Sequence, residues 1–266
     1  MVNVLDLVEQ TVSSVDEVCS SLDDTDWDKP TDLPGWSVKD NLAHLAHYEA
    51  TAIGRPTPED IDVSAYADRL TDDFQRANER GVEARRARTG TEVLAEFREV
   101  ATEHIKRMRN LGDLSAEVTL PAGTFAYESI LPIRVTDLYY HEQDIRRAVG
   151  KPGHMGGAVA RAIFDRFANS FGYILVKRAG APEGTRARLA IGEPGQSVDV
   201  VVRDGRGTRE APQGDPDMTF TGDFETFLCL VGGRWTPATA IADGRWTATG
   251  DAELVAKVHE NIAVVP

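Results

Sequence analysis

The sequence predicts two domains: an all-helical bundle over residues 1–152, then an α+β domain over residues 153–266. Three observations lead there. Apolar residues recur at helical spacing through most of the first half. From about residue 187 the composition shifts to runs that read as strands. Between the two, Gly150-Lys151-Pro152-Gly153 stops the preceding helix and marks the boundary.

In the first half, Met1-Val2-Asn3-Val4-Leu5-Asp6 reads as the start of a helix, which Val4, Leu5, Val8, Val12, Val15, Cys19 and Leu22 mark. Ser37 with Asp40 three residues on forms a capping box behind the Pro34-Gly35 turn, so a second helix runs from Ser37 to about Ile53. After the connection from Pro56 to Asp62, a third helix is expected through Leu70, Phe74, Ala77 and Val82 toward Arg88. Thr89-Gly90-Thr91-Glu92 caps a fourth, which continues through Val93, Leu94, Phe97, Val100, Ile105 and Met108 to Leu111. Residues 117–127 alternate and turn like a short hairpin or an extended crossover. A further helix then carries Ile130, Ile133, Asp137, Leu138 and His141 to about Val149. The sum is a helix bundle with one decorated connection.

In the second half a helix from about Gly157 to Arg178 comes first. Strands follow at Ala187–Ile191, Ser197–Arg203, Met218–Thr221 and Arg245–Thr249, with a turn at Asp204-Gly205-Arg206-Gly207. Helices over Phe224–Val231 and Ala252–Ile262 punctuate them, which makes this half α+β.

Composition narrows the function. A chain of 266 residues with 41% hydrophobic content has enough apolar material for two real cores. The net charge is −14, and most of that excess lies in the first 152 residues. Phosphate binding needs an excess of Lys and Arg, so a nucleic-acid partner is not expected. No apolar run approaches a membrane span and no basic-then-apolar leader opens the sequence, so cytoplasmic residence is the expectation. With only two cysteines, Cys19 and Cys229, a disulfide framework and a cysteine-rich zinc ribbon are both excluded. Each sits among apolar neighbours and reads as a buried small hydrophobe, so any thiol chemistry must draw on a thiol from outside the protein.

The chemistry-bearing residues fall in two helices. His44 and His47 lie one turn apart near the apolar face set by Val38, Leu42 and Leu45. Far downstream, Asp137 and His141 stand at i,i+4, a spacing that projects both from one side of a helix. His44, Asp137 and His141 together suggest a three-ligand metal site between helices, and N and O donors with an open fourth position suit catalytic zinc. Spacing leaves other readings open: the Asp137/His141 pair as a surface hydrogen bond, and His44 as a satisfied core histidine. His47 is the substitute ligand. Asp144 either orients the His141 imidazole or pairs with Arg147, and Trp36 is expected to pack under the helix start.

These residues also carry a resemblance. Pro34-Gly35-Trp36-Ser37-Val38-Lys39-Asp40 with Ala43-His44-Leu45-Ala46, and His141-Glu142-Gln143-Asp144-Ile145-Arg146-Arg147-Ala148, resemble the N-terminal domain of the mycothiol-dependent maleylpyruvate isomerase family. That domain is related to the DinB-like, metal-binding four-helix bundles. Asp217-Met218-Thr219-Phe220-Thr221-Gly222-Asp223, Phe227-Leu228-Cys229-Leu230-Val231-Gly232-Gly233-Arg234 and Thr249-Gly250-Asp251-Ala252-Glu253-Leu254 resemble the sterol-carrier-protein-like domain of the same enzymes. The resemblance implies a DinB-like bundle over residues 1–152 and a sterol-carrier-protein-like α+β domain over residues 153–266. It implies a divalent metal, usually zinc, on His44, Asp137 and His141, with mycothiol as thiol cosubstrate. Asp137 departs from the Glu usual in the isomerase. Arg234, with Arg245 behind it, matches the arginine expected near the substrate, and a surface arginine ending a helix is the competing reading. The implied activity is addition of a metal-activated mycothiol thiolate to a small electrophile, leading to isomerisation. The alternatives are a detoxifying mycothiol S-transferase or a non-catalytic small-molecule binding protein.

Overall fold

The computed structural model describes residues 3–120 and 123–265. The chain divides into two compact units, residues 1–152 and 153–266. Among the described residues, no helix is long and apolar enough to cross a membrane.

The first unit is helical. Helix α1 spans Val4–Ser20, and the Asn3 side chain caps it by accepting from the Leu5 amide; Met1 and Val2 lie outside the described residues. Helix α2 spans Val38–Ala52 behind the expected Ser37/Asp40 capping box, and α4 spans Gly90–Leu111 behind a Thr89/Glu92 box. Helix α5 spans Tyr127–Val149 and ends at Gly150, whose φ of 67° places it in the left-handed region that a side chain resists. Helices α1, α2, α4 and α5 pack as the bundle, and α3 (Asp73–Arg86) lies against α2. Their buried seams are made of residues such as Val8, Val15, Leu42, Leu45, Phe97, Val100, Leu138 and Ile145. Between α4 and α5, β1 (Glu117–Leu120) and β2 (Gly123–Ala126) pair antiparallel. Pro121 and Ala122 of that expected hairpin lie outside the described residues.

Helix α3 corrects the sequence reading. Leu70 ends a separate 3-10 turn over Ser64–Arg69, and the helix starts only at Asp73. Asp72 caps it by accepting from the Gln75 amide at 2.8 Å, and Phe74 is 66% exposed. Cap chemistry, not apolar spacing, sets the start.

In the second unit α6 (Gly157–Tyr173) runs into a π-helical turn over Ile174–Arg178. The sheet contains β3 (Arg186–Ile191), β4 (Ser197–Arg203), β5 (Arg206–Glu210), β6 (Met218–Gly222) and β7 (Trp246–Gly250), in the order β5-β4-β3-β6-β7. Only β3 and β6 pair in parallel. Helices α7 (Phe224–Val231), α8 (Pro237–Ala242) and α9 (Ala252–Glu260) complete the unit. Phe164, Phe171, Phe220, Phe227 and Trp246 form the centre of its core.

Strand β5 is the second correction: the expected turn over Asp204–Gly207 takes in its first two residues, and no strand is expected over the rest. Asp204 and Gly205, with φ of 51° and 68°, make the two-residue connection, and Arg206 pairs opposite Arg203. Helix α6 packs on β5 at one close backbone approach: a Cβ on Gly172 would meet the Gly207 carbonyl oxygen at 2.6 Å. Neither cysteine forms a disulfide, and both are buried, Cys19 in α1 and Cys229 in α7.

Candidate metal centre

The capping box fixes where α2 begins and therefore which of its residues face α5. Asn41 and His44 stand one turn apart on it, and Asp137 and His141 one turn apart on α5. The structure brings His44, Asp137 and His141 together: one ligand atom from each lies within 4.8 Å of the others. His44 Nε2 is 3.4 Å from Asp137 Oδ1, and His141 Nε2 is 3.5 Å from the same oxygen. Two donors each about 2.0–2.1 Å from a tetrahedral ion lie about 3.3 Å apart, close to the separations of the two imidazoles from Asp137 Oδ1.

The ring orientation of His141 is set by Asn41. Its Nδ1 lies 2.7 Å from Asn41 Oδ1. The Asn41 amide nitrogen donates to Thr31 Oγ1 at 3.1 Å and to the Ser37 carbonyl at 2.9 Å, so the amide oxygen must be the atom that faces the imidazole. Nδ1 is therefore the protonated nitrogen, and Nε2 turns a lone pair toward Asp137 and His44. Burial pushes the His141 pKa below its ordinary value against the opposing pull of Asp137, which favours the neutral, ligating form. Burial alone would raise the Asp137 carboxyl. The charge interaction with His44, the two neighbouring imidazoles and the Arg134 guanidinium outweigh it and hold Asp137 well below the usual carboxylate range.

Trp36, just before α2, packs against the first turns of that helix and also walls the cluster. Its ring centroid lies 5.2 Å from that of His44 and 5.7 Å from that of His141, and its Nε1 donates to Glu79 Oε2 at 3.0 Å. The opposite flank is ionic. Arg134 is 1% exposed and donates from Nη1 to Asp137 Oδ2 and from Nε to Glu49 Oε1, the latter at 2.8 Å. Glu49 Oε2 lies 2.5 Å from His104 Nδ1.

The remaining candidates separate from this cluster. His47 is no part of it: the ring packs over Gly81 of α3, where a Cβ would come within 2.2 Å of His47 Cγ. Asp144 pairs with Arg147, and its Oδ2 is 3.9 Å from His141 Nδ1, so Asn41 holds the orienting position that the sequence reading offered to Asp144. Arg234 follows α7 in the second unit and donates from Nη1 to the Gly232 carbonyl at 2.9 Å. Arg245 stacks on Trp235 at 4.9 Å. Asn41, Arg134, Glu49 and His104 were missed. The available signal for the first two was position, since each stands one turn before a candidate ligand on the same helix.

Fold and site define a class: a helical bundle with a His/carboxylate/His cluster, joined to an α+β domain with a five-stranded sheet. The sequence model of the mycothiol maleylpyruvate isomerase N-terminal domain matches residues 8–146, and that of the SCP-2 sterol transfer family matches residues 177–262. The chain belongs to the mycothiol-dependent maleylpyruvate isomerase family. Among solved structures, it is similar to the crystal structure of the mycothiol-dependent maleylpyruvate isomerase, at 17% identity, and to that of a histidine-to-alanine mutant, at 18%. Both give a TM-score of 0.55 and cover 94% of this chain and 93% of theirs, a likeness of fold. The solution structure of the sterol carrier protein domain 2 of Helicoverpa armigera covers 40% of this chain and 91% of its own, at 17% identity and a TM-score of 0.32. No curated protein matches the chain.

Proposed function

We propose that the chain is a metal-dependent enzyme that activates the thiol of mycothiol for addition to a small electrophile, with His44, Asp137 and His141 as the metal ligands. The observation that carries this reading is the convergence of two imidazole Nε2 atoms on one carboxylate oxygen, at 3.4 and 3.5 Å. When bound, a divalent ion, zinc by preference, lowers the pKa of a coordinated thiol so that it is a thiolate near neutral pH. The residues of this chain supply the rest. Asn41 holds the His141 tautomer, Trp36 excludes water from one side, and Arg134 holds the outer oxygen of Asp137. Arg234 is proposed as the guanidinium that holds a carboxylate of the substrate by paired hydrogen bonds. A cytoplasmic location goes with this reading.

Two fates of the adduct are compatible with one site. Addition of the thiolate makes the substrate's carbon–carbon double bond single; rotation about it and elimination of the thiol to restore the double bond is cis–trans isomerisation, and retention of the new carbon–sulfur bond is S-transfer. The decisive experiment is elemental analysis of protein purified without a histidine tag, beside His44→Ala and His141→Ala. Near-stoichiometric zinc in the native chain, lost in both variants, supports the enzyme and justifies incubation with mycothiol and maleylpyruvate. Mycothiol regenerated in that incubation identifies an isomerase, and mycothiol consumed identifies a transferase. No metal in the native chain, even after incubation with zinc, overturns the reading in favour of a small-molecule binding protein.

A further inference from the structure

Asp137 has two carboxylate oxygens, and the structure gives them different partners. Oδ1 faces both imidazoles, while Oδ2 accepts from Arg134 Nη1. The guanidinium is held from several directions. Glu49 Oε1 takes Nε at 2.8 Å and Nη2 at 2.6 Å, the Tyr48 ring lies 4.1 Å beneath it, and the Leu45 carbonyl is 3.5 Å from Nη2. Glu49 is itself fixed by His104 of α4, so three helices hold one arginine. Burial works against its charge, and Glu49 and Asp137 outweigh burial and hold the guanidinium charged.

An arginine needed only to neutralise Glu49 has no reason to spend a donor on the carboxylate that faces two histidines. A carboxylate with both oxygens unengaged can bind a divalent ion through both, filling one coordination position more than a single oxygen does. Thiol activation requires a position left open beyond the three protein ligands. Resting on the metal-site reading above, we propose that Arg134 is a positioning residue that makes Asp137 a one-oxygen ligand and so keeps a coordination position open for an incoming thiol. Glu49 and His104 complete the device by preventing the guanidinium from turning away.

Cobalt(II) substitution tests this, because the intensity of its visible bands reports coordination number independently of turnover. The native chain is expected to take up cobalt with the intense bands of low coordination. In Arg134→Gln those bands are expected to weaken several-fold as the second oxygen of Asp137 joins the ion, with cobalt still bound stoichiometrically. Arg134→Gln leaves Glu49 buried without its cation, so the paired variant Glu49→Gln/Arg134→Gln repeats the measurement with the charge balance restored. A purely structural ion pair would lower the melting temperature and leave the spectrum alone, and that outcome overturns the proposal. X-ray absorption on the unaltered, zinc-loaded chain needs no variant: a single short oxygen contact from the carboxylate supports it, and a two-oxygen carboxylate overturns it. Failure of the unaltered chain to bind cobalt or zinc removes the metal site itself, whereas binding with unchanged spectra in both variants removes only the role of Arg134.

Discussion

Asn41 Oδ1 and His141 Nδ1 lie 2.7 Å apart across the α2–α5 seam, and this contact fixes which imidazole nitrogen carries the proton and which is left free for the proposed metal. Residues in this position typically change metal affinity about 10–100-fold when lost. Asn41→Ala is expected to raise the zinc Kd about tenfold, while Asn41→Asp, which keeps an acceptor, recovers most of the affinity. Competition against a chromophoric chelator measures both, with circular dichroism checking that the fold survives. Equal zinc affinity in Asn41→Ala and the native chain would show that the hydrogen bond does not orient the ligand.

Trp36 is one of four tryptophans, and its ring lies within 6 Å of both imidazole centroids. Cobalt(II) is expected to quench a minor fraction of the fluorescence on binding. Trp36→Phe should remove that quench while cobalt still binds stoichiometrically. Quenching of the same amplitude in the variant would place the metal away from this cluster.

His47 gives the fold an acid sensitivity. Burial, then Arg85 and His44, push its pKa down from 6.5 to about 4. The unfolded chain therefore takes up the proton first as pH falls. The contribution of neutral His47 to stability is complete above pH 6.5 and is lost progressively between 6.5 and about 4, by an amount of the order of 3 kcal/mol. Denaturant titrations across that range should show a shallower slope in His47→Gln than in the native chain, and parallel slopes would contradict the assignment.

Gly172 supports the second unit by letting α6 approach β5. A Cβ there would lie 2.6 Å from the Gly207 carbonyl oxygen, and backbone cannot turn aside as a flexible side chain can. Gly172→Ala is expected to cost about 1–3 kcal/mol. Thermal unfolding followed by circular dichroism checks it, and a melting temperature at or above the native value would rule out the close approach.

What was legible in the sequence is what depends on local rules. Capping boxes at Ser37 and Thr89 announced α2 and α4, and the valine-rich run of Ser197–Arg203 announced β4, because each signal lies within one element. Helix α3 was placed too early because Leu70 and Phe74 continue an apolar rhythm that Asp72 interrupts with a cap. Strand β5 reads Arg206-Gly-Thr-Arg-Glu210 and has no apolar alternation, since a polar edge strand is specified by its partner. At the site, His44, Asp137 and His141 were visible as donor types at helical spacing. Arg134, Glu49 and His104 were not, because their roles come from three helices meeting, and an arginine or glutamate in a helix otherwise reads as a solvated charge.

The buried cysteines bear on how such an enzyme survives its own chemistry. Burial raises the Cys19 thiol pKa, with Asp16 and Glu142 adding to it, so this sulfur stays protonated, and Cys229 is 1% exposed. A catalyst that generates thiolate beside reactive carbon centres risks alkylating itself. In the reaction proposed above, the resident sulfurs would be kept protonated or out of reach, leaving the diffusible thiol as the nucleophile that the electrophile meets. On that reading, burial of both cysteines would let the protein outlast many turnovers of a reagent that inactivates an exposed cysteine.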